Sequence, residues 1–277
     1  MLGQRVVTAL VLLAILLPAL FARTPWPFAA ITLLLIGAAG WEWARLNGWP
    51  SIALASGLVI GGAGALALWL RATDAAPRGL WVVAALLWVL GGAWALRSGP
   101  AIWPTLPRGV RWVLGMVLLF VAWLALATAR ARGINFILSV LCLVWVADIA
   151  AYFGGRRFGR RKLAPSISPG KSWEGVASGM LGALVLALLW IAIDRRIAVD
   201  SASLYTRLLE QAGWIGLAPL VAFLAGMSVV GDLFESLVKR SAGAKDSSKL
   251  LPGHGGVLDR VDALLPVFPI ALALVAL

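Results

Sequence analysis

Long apolar stretches alternate with short polar gaps along almost the whole chain. They lie near residues 6–22, 27–46, 51–70, 79–96, 110–128, 135–155, 175–193, 213–235 and 256–277. A helix needs roughly 20 apolar residues to cross a bilayer, and fewer where the membrane is thin or distorted. The pattern therefore predicts an all-α polytopic membrane protein with about nine transmembrane helices. Arg5 before the first stretch is typical of a signal peptide, but the sequence "PALFA" is a poor cleavage site, and we expect a retained helix.

Tryptophans and basic residues indicate where the membrane boundaries lie. Many of the 15 tryptophans fall near the ends of apolar stretches, including Trp26, Trp49, Trp81, Trp103, Trp112, Trp173 and Trp214. Amphipathic rings prefer that position. Arg and Lys are concentrated on one side of the nine-helix arrangement, mainly in residues 156–171 and 239–260. The positive-inside rule places that side, and the N-terminus, in the cytoplasm, and the C-terminus outside. The expected location is the cell inner (cytoplasmic) membrane.

Composition narrows the class of protein further. Of 277 residues, 61% are hydrophobic and 13% are charged, which is more apolar surface than a soluble domain can bury. The net charge of +12 comes from basic residues in short gaps, a placement that favours membrane lipids and phosphorylated substrates and argues against nucleic acid. The single cysteine, Cys142, excludes an internal disulfide and a thiolate zinc cluster.

The polar residues are distributed unequally between the two halves of the chain. Residues 1–133 contain one acid inside an apolar stretch, Glu42, which we expect to lie at the membrane interface. We therefore assign 1–133 to an N-terminal transmembrane scaffold or oligomerisation region. Residues 134–277 form the predicted catalytic region, with the active site at the cytoplasmic ends of its helices.

Asp148 lies inside the sixth apolar stretch, two turns before a basic loop. A carboxylate at such a depth costs roughly 2.5–3.5 kcal/mol on insertion scales. Either the acid reaches the interface or pairs with an arginine, or it binds a cation or substrate. The loop that follows reads "GGRRFGRRKLAPSISPGKS". Its "PGKS" is not a phosphate-binding P-loop, because Pro165 stands where the motif needs glycine and no strand is predicted before it. Its backbone N–H groups, hydroxyls and cations can still bind phosphate, or rest on anionic lipid.

The eighth stretch ends in polar residues on one helical face. Asp232, Ser236, Lys239 and Arg240 follow the spacing i, i+4, i+7 and i+8. An acid, a hydroxyl and two cations in line can coordinate a metal and hold phosphate beside it, whereas simple salt bridging is the alternative. The next segment, "KDSSKLLPGHGGVLDRVD", contains the one histidine of the chain, His254, and forces sharp turns through proline and glycine.

Together these residues resemble a known signature. Residues 236–262, "SLVKRSAGAKDSSKLLPGHGGVLDRVD", match every specified position of S-x-x-K-R-x4-K-D-x5-P-G-H-G-G-x-x-D-R-x-D, the signature of the CDP-diacylglycerol synthase (phosphatidate cytidylyltransferase) family. The segment "DIAAYFGGRRFGRRKLAPSISPGKSWEG" resembles a second family segment. The resemblance covers residues 144–262. It implies a nucleotidyltransferase of phospholipid biosynthesis that converts CTP and phosphatidic acid to CDP-diacylglycerol and pyrophosphate.

The resemblance also implies roles for single residues. Asp232 and Asp259 would be metal ligands and, with Lys239, catalytic, and Asp148 would support them or hold a second cation. The cofactor would be Mg²⁺, with Mn²⁺ as a substitute and a monovalent ion as the second cation. The substrate-binding residues would be Ser168, Lys171, Ser236, Arg240, Lys245, Asp246, His254 and Arg260. Family members form dimers, so a homodimer is expected.

Two other functions compete with this interpretation. A CDP-alcohol phosphotransferase also uses membrane aspartates and a metal, but its D-G-x2-A-R-x8-G-x3-D-x3-D motif is missing. An ion-coupled transporter would use Asp148 and Asp232 as intramembrane acids. Transporters typically show repeat symmetry and polar residues spread through their helices, and the sequence shows neither.

Overall fold

Helices form most of the chain in a computed structural model that describes residues 2–276, except for the side chains of residues 2, 5 and 75. The helices are α1 (Leu2–Leu20), α2 (Trp26–Leu46), α3 (Ala53–Trp69), α4 (Ala72–Ala75), α5 (Arg78–Leu86), α6 (Gly92–Ser98), α7 (Arg108–Arg132), α8 (Ile134–Phe158), α9 (Trp173–Asp194), α10 (Leu204–Ser241), α11 (Leu258–Val261) and α12 (Leu264–Leu274). Between α8 and α9 the strands β1 (Lys162–Ala164) and β2 (Ser168–Ser172) form an antiparallel hairpin. The hairpin corrects the prediction that no strand precedes "PGKS", because β1 comes before these residues and they belong to β2 themselves.

Seven helical segments in residues 2–276 are long and apolar enough to cross a membrane. They are Trp26–Leu46, Pro50–Trp69, Arg78–Ser98, Arg108–Arg132, Ile134–Phe158, Trp173–Asp194 and Leu204–Ser241. The polytopic helical prediction is confirmed at this level. The first predicted stretch forms a shorter apolar helix, Val6–Leu20.

The ninth predicted stretch is not one long helix. It is divided between α11 and α12, and α12 has only 11 residues. Nearly every side chain of α12 is buried, packed among α5, α7, α8 and α10. A short apolar run can be a buried core helix or part of a membrane span, and periodicity does not separate them. The end of the stretch, residue 277, lies outside the described residues.

The eighth stretch begins earlier than its hydropathy predicts. Helix α10 starts at Leu204, where the Ser203 hydroxyl accepts a hydrogen bond from the N–H of Thr206 at 3.2 Å. Gly213 interrupts the helix with φ 65° and ψ −177°. The predicted start at residue 213 therefore coincides with this break and not with the beginning of the helix.

Aromatic rings from the first half of the chain surround Phe234 on α10. Trp43 stacks on its ring with centroids 6.2 Å apart, while Trp88 and Trp103 meet it edge-on at 5.5 and 5.3 Å. Trp88 lies in a π-helical turn, Leu87–Gly91, that joins α5 to α6. Phe234 is two residues from Asp232, so this cluster fixes the part of α10 that carries the predicted site. Trp81 and Trp103, predicted at the interface, are only 1% exposed, because their rings fill the core.

Candidate active site

The hairpin folds back onto the end of α10. Lys171 Nζ lies 2.6 Å from Asp232 Oδ2, and Arg240 Nε donates to the carbonyl oxygen of Ile167 at 3.4 Å. Ile167, near the hairpin turn, is 2% exposed and anchors it in the core. The two basic segments predicted on one side, 156–171 and 239–254, therefore meet at the same end of the bundle.

Asp232, which pairs with Lys171 of the hairpin, is partly exposed to solvent. Its side chain is 29% exposed, and its second oxygen accepts a hydrogen bond from Ser236 Oγ at 3.3 Å. Asp148 on α8 is exposed, and Lys171, Asp232 and Arg260 lie close enough to act on its charge. Acids from two helices and a cation from the hairpin thus converge.

Lys239 forms a second, more deeply buried ion-pair group. Its ammonium lies 2.5 Å from Glu235 Oε2 and 2.5 Å from Asp259 Oδ1. The three side chains are 11%, 3% and 6% exposed. Glu235 was not among the predicted site residues, although its position one turn before Lys239 is the sequence signal that identifies it. Lys239 therefore lies between two carboxylates that are almost fully buried.

Asp259 receives hydrogen bonds from several directions. Its Oδ2 accepts from the N–H of Gly256 at 2.7 Å, from the N–H of Ser247 at 3.0 Å and from Ser247 Oγ at 2.9 Å. Burial disfavours the charged carboxylate, but the hydrogen bonds from Lys239, Gly256 and Ser247 outweigh it and lower the pKa of Asp259 to about 2. Asp259 is therefore ionised at neutral pH.

Asp262 is a second residue that the site prediction omitted. Its backbone oxygen lies against Gly231, next to Asp232. Burial and the nearby charge of Asp232 raise the pKa of Asp262 to about 7. Its place three residues after Asp259, in the matched signature, was the available signal.

The remaining predicted residues surround these ion pairs on more open surface. Lys245, Asp246, Arg240 and Arg260 are exposed, and Ser168 on β2 is half-buried. The backbone N–H of His254 donates to Leu251 O at 2.8 Å, inside a tight turn closed by Leu251 N–H and Gly255 O at 2.8 Å. Glycines 253 and 255 make this turn with φ of 75° and 82°. The exposed cations leave donors free for anionic ligands.

Glu42 corrects the prediction of an interfacial acid. Its side chain is fully buried, at 0% exposure, and contacts the loop between α10 and α11. Val257 and Leu258 donate their N–H groups to its two oxygens at 2.9 and 2.8 Å. The N-terminal half of the chain thus directly contacts the loop 242–257 between α10 and α11, which we call the signature loop.

Asp232 offers a partly exposed carboxylate, which is the kind of hard oxygen donor that Mg²⁺ binds. The Lys171 ammonium already lies against the carboxylate, which shows that a positive group is accommodated there. Within residues 2–276 no group of three or more His, Cys, Asp and Glu side chains is arranged to hold a metal by itself. Mg²⁺ usually takes one or two carboxylates together with substrate phosphates and water, so a protein cage of three is not required.

Comparison with known proteins identifies relatives that share one name. The model of the Cytidylyltransferase family matches residues 3–277. The phosphatidate cytidylyltransferase of Pseudomonas aeruginosa is 39% identical over 282 residues, covering 99% of this chain and 97% of that protein. The enzyme of the same name from Haemophilus influenzae is 38% identical, with 97% and 96% covered. That from Thermotoga maritima is 44% identical over 135 residues, 48% of this chain and 46% of that protein.

Proposed function

The chain belongs to the cytidylyltransferase family, and we propose that the group formed by Lys171, Asp232, Lys239 and Asp259 is part of its active site. The enzyme transfers the cytidylyl group of CTP to phosphatidic acid and forms CDP-diacylglycerol and pyrophosphate, a step of phospholipid biosynthesis. The observation that carries the site is the pair of ion-pair groups at one end of the bundle. They join three separate segments of the chain: the hairpin, α10 and α11.

The reaction needs charge neutralisation more than a strong base. An oxygen of the phosphatidic acid phosphate, already anionic at pH 7, attacks the α-phosphorus of CTP. A new P–O bond forms, the bond from the α-phosphorus to the bridging oxygen breaks, and pyrophosphate leaves with that electron pair. Lys171, Arg240, Lys245 and Arg260, with Ser168, Ser236, Asp246 and His254, would hold and orient the phosphates and nucleotide. The exposure of three of these cations, Arg240, Lys245 and Arg260, supports that role.

The cation is proposed on Asp232 and Asp259, with Asp148 as a further ligand or as the place of a second, monovalent ion. Bound there, Mg²⁺ or Mn²⁺ would offset the charge of the CTP phosphates and align them. Hard oxygen donors favour these ions over zinc. Asp259 is tied to Lys239 and Ser247, so these two residues would set its orientation toward the ligand.

Substitution of the two aspartates tests this proposal. Asp232→Asn and Asp259→Asn keep the side-chain shape and remove the charge, so each is expected to lower turnover about 100-fold or more. Because both act through one ion, the double variant should be little worse than either single variant. The measurement is release of pyrophosphate from labelled CTP with phosphatidic acid in detergent.

The control is Asp74→Asn, which alters an exposed ion pair with Arg71 in another part of the chain. It should leave the rate unchanged. Multiplicative losses in the double variant, or a wild-type rate that survives EDTA, would contradict a shared metal. Transport without CTP turnover would instead identify an ion-coupled transporter.

We also propose a homodimer in the cell inner membrane, with the active site facing the cytoplasm. The basic segment 156–162 lies at the site end and supports this orientation under the positive-inside rule. The dimer is supported only by the family resemblance. Chemical crosslinking in native membranes should trap a species of twice the monomer mass, and a purely monomeric pattern would refute the dimer.

A further inference from the structure

Glu42 lies near the end of α2, more than 200 residues before the loop that it contacts. Four donors converge on its carboxylate. Ser248 Oγ donates to Oε1 at 2.5 Å and Ser247 Oγ donates to Oε2 at 3.2 Å. The N–H groups of Val257 and Leu258 complete the set. Both ends of the loop, 247–248 and 257–258, are therefore held by one buried side chain.

Ser247 connects Glu42 to Asp259. Its hydroxyl lies 3.2 Å from Glu42 Oε2 and 2.9 Å from Asp259 Oδ2, and its N–H donates to Asp259 at 3.0 Å. A hydroxyl has one proton, so it donates to one carboxylate at a time while remaining next to both. The position of Asp259 thus depends on the position that Glu42 gives to Ser247.

The packing around this contact is tight at Gly256. A Cβ atom placed on Gly256 would collide with both Glu42 and Ser247. Gly256 also donates its N–H to Asp259 at 2.7 Å. The backbone that holds Asp259 is therefore in direct contact with the Glu42 carboxylate.

We propose that Glu42 is a positioning residue for the cytidylyl transfer, which sets the signature loop so that Asp259 points at Lys239 and the substrate phosphates. The inference rests on the proposed role of Asp259. The charge and shape of Glu42 both matter, because its carboxylate accepts from three donors at once and also from the Ser247 hydroxyl when that hydroxyl turns toward Glu42. A glutamine amide presents an N–H₂ group to two of those donors and loses their hydrogen bonds.

The test is Glu42→Gln, assayed in the full-length enzyme. We expect kcat to fall about 10- to 100-fold, the range seen when partners that orient metal ligands are lost. The Mg²⁺ concentration for half-maximal rate should rise several-fold. Without substrate or metal, hydrogen–deuterium exchange of the backbone amides in 247–258 should become faster, since the N–H of either Val257 or Leu258 loses its acceptor.

Asp200→Asn is the matched control for a merely structural effect. Asp200 also accepts two backbone N–H groups from a distant segment, those of Ile134 at 2.5 Å and Asn135 at 2.9 Å. It lies outside the active site. The control should lower Tm but leave kcat and the Mg²⁺ requirement within twofold of wild type.

The outcomes separate this inference from the proposed active site. Full activity in Asp259→Asn would overturn the site itself. If Asp259→Asn is inactive but Glu42→Gln keeps the wild-type kcat and loop exchange, only the positioning role is overturned. Equal losses of kcat in Glu42→Gln and Asp200→Asn would overturn it as well. If Glu42→Gln does not fold, Ser248→Ala removes one of the four hydrogen bonds, and unchanged loop exchange together with unchanged kcat would also overturn the inference.

Discussion

At the scale of single residues, the two lysines of the proposed active site have different surroundings. Lys171 and Asp232 are 24% and 29% exposed, so water screens their attraction. Lys239 lies between Glu235 and Asp259, both nearly inaccessible. The two lysines carry the same charge, but Lys171 stays partly open to solvent, whereas Lys239 also holds two buried carboxylates in place.

Lys239→Gln is expected to reduce both turnover and stability. The substitution leaves two buried carboxylates without their cation, and breaking a buried ion pair costs about 3–5 kcal/mol. The thermal midpoint in detergent should fall clearly, and CTP turnover should be lost. Adding Glu235→Gln should recover part of the stability, because one uncompensated charge is removed.

Lys171→Gln provides the comparison. A partly exposed pair contributes about 0–1 kcal/mol, so its thermal midpoint should stay close to wild type while turnover falls. If Lys239→Gln melts like the wild-type protein, Lys239 does not hold these carboxylates as described.

At the scale of elements, α8 and α9 pack through small residues. A Cβ atom on Gly179 of α9 would lie 2.7 Å from the carbonyl oxygen of Ala147 and 3.3 Å from Ala151 Cβ, so the helices touch backbone to backbone. Such close contact is typical of helix pairs in membranes. It matters for function because α8 carries Asp148 and α9 follows directly from the hairpin with Lys171.

Gly179→Ala should force the two helices apart. Overpacking of a close contact costs about 1–3 kcal/mol, and the shift would also separate Asp148 from the hairpin. We expect a lower thermal midpoint and reduced turnover. Gly62→Ala on α3 is the matched control, because nothing lies within 4 Å of a Cβ there. Equal thermal midpoints and turnover in the two variants would show that the α8–α9 contact tolerates an added methyl group.

At the scale of the whole molecule, the first and second halves of the chain are joined at the end of the bundle that carries the proposed active site. Phe234 of α10 is surrounded by Trp43, Trp88 and Trp103, and Glu42 holds the signature loop. The assignment of 1–133 as a scaffold remains a prediction. The contacts give that scaffold a specific task, which is to place α10 and the loop relative to each other.

The orientation of the bundle can be tested by accessibility to a membrane-impermeant maleimide. In a Cys142→Ala background, Arg160→Cys and Lys249→Cys should both react only from the cytoplasmic side, because they lie on exposed parts of the same end. Arg196→Cys, exposed after the other end of α9, should react only from outside. Labelling of residues 160 and 249 from opposite sides would contradict both the fold and the orientation.

The sequence alone determined the class of architecture and much of the chemistry. Long apolar stretches separated by short gaps predict membrane helices. In the bilayer core the backbone N–H and C=O groups find no water, and a helix provides hydrogen-bond partners for all of them within one segment. The signature from Ser236 to Asp262 is local, so it could be identified from residue order. The family was identified from the same segment, and the comparisons confirm it.

Tertiary structure decided what local pattern does not encode. Hydropathy cannot distinguish a buried helix such as α12 from a lipid-facing one, because both are apolar all round. It predicted Glu42 and Trp103 at an interface, whereas packing of distant segments buries both. The partners of Glu42 lie more than 200 residues away, and the carboxylates Asp232 and Asp259 lie on different elements from the lysines that they bind. Such contacts depend on how the helices cross, and only the folded chain brings these charges together.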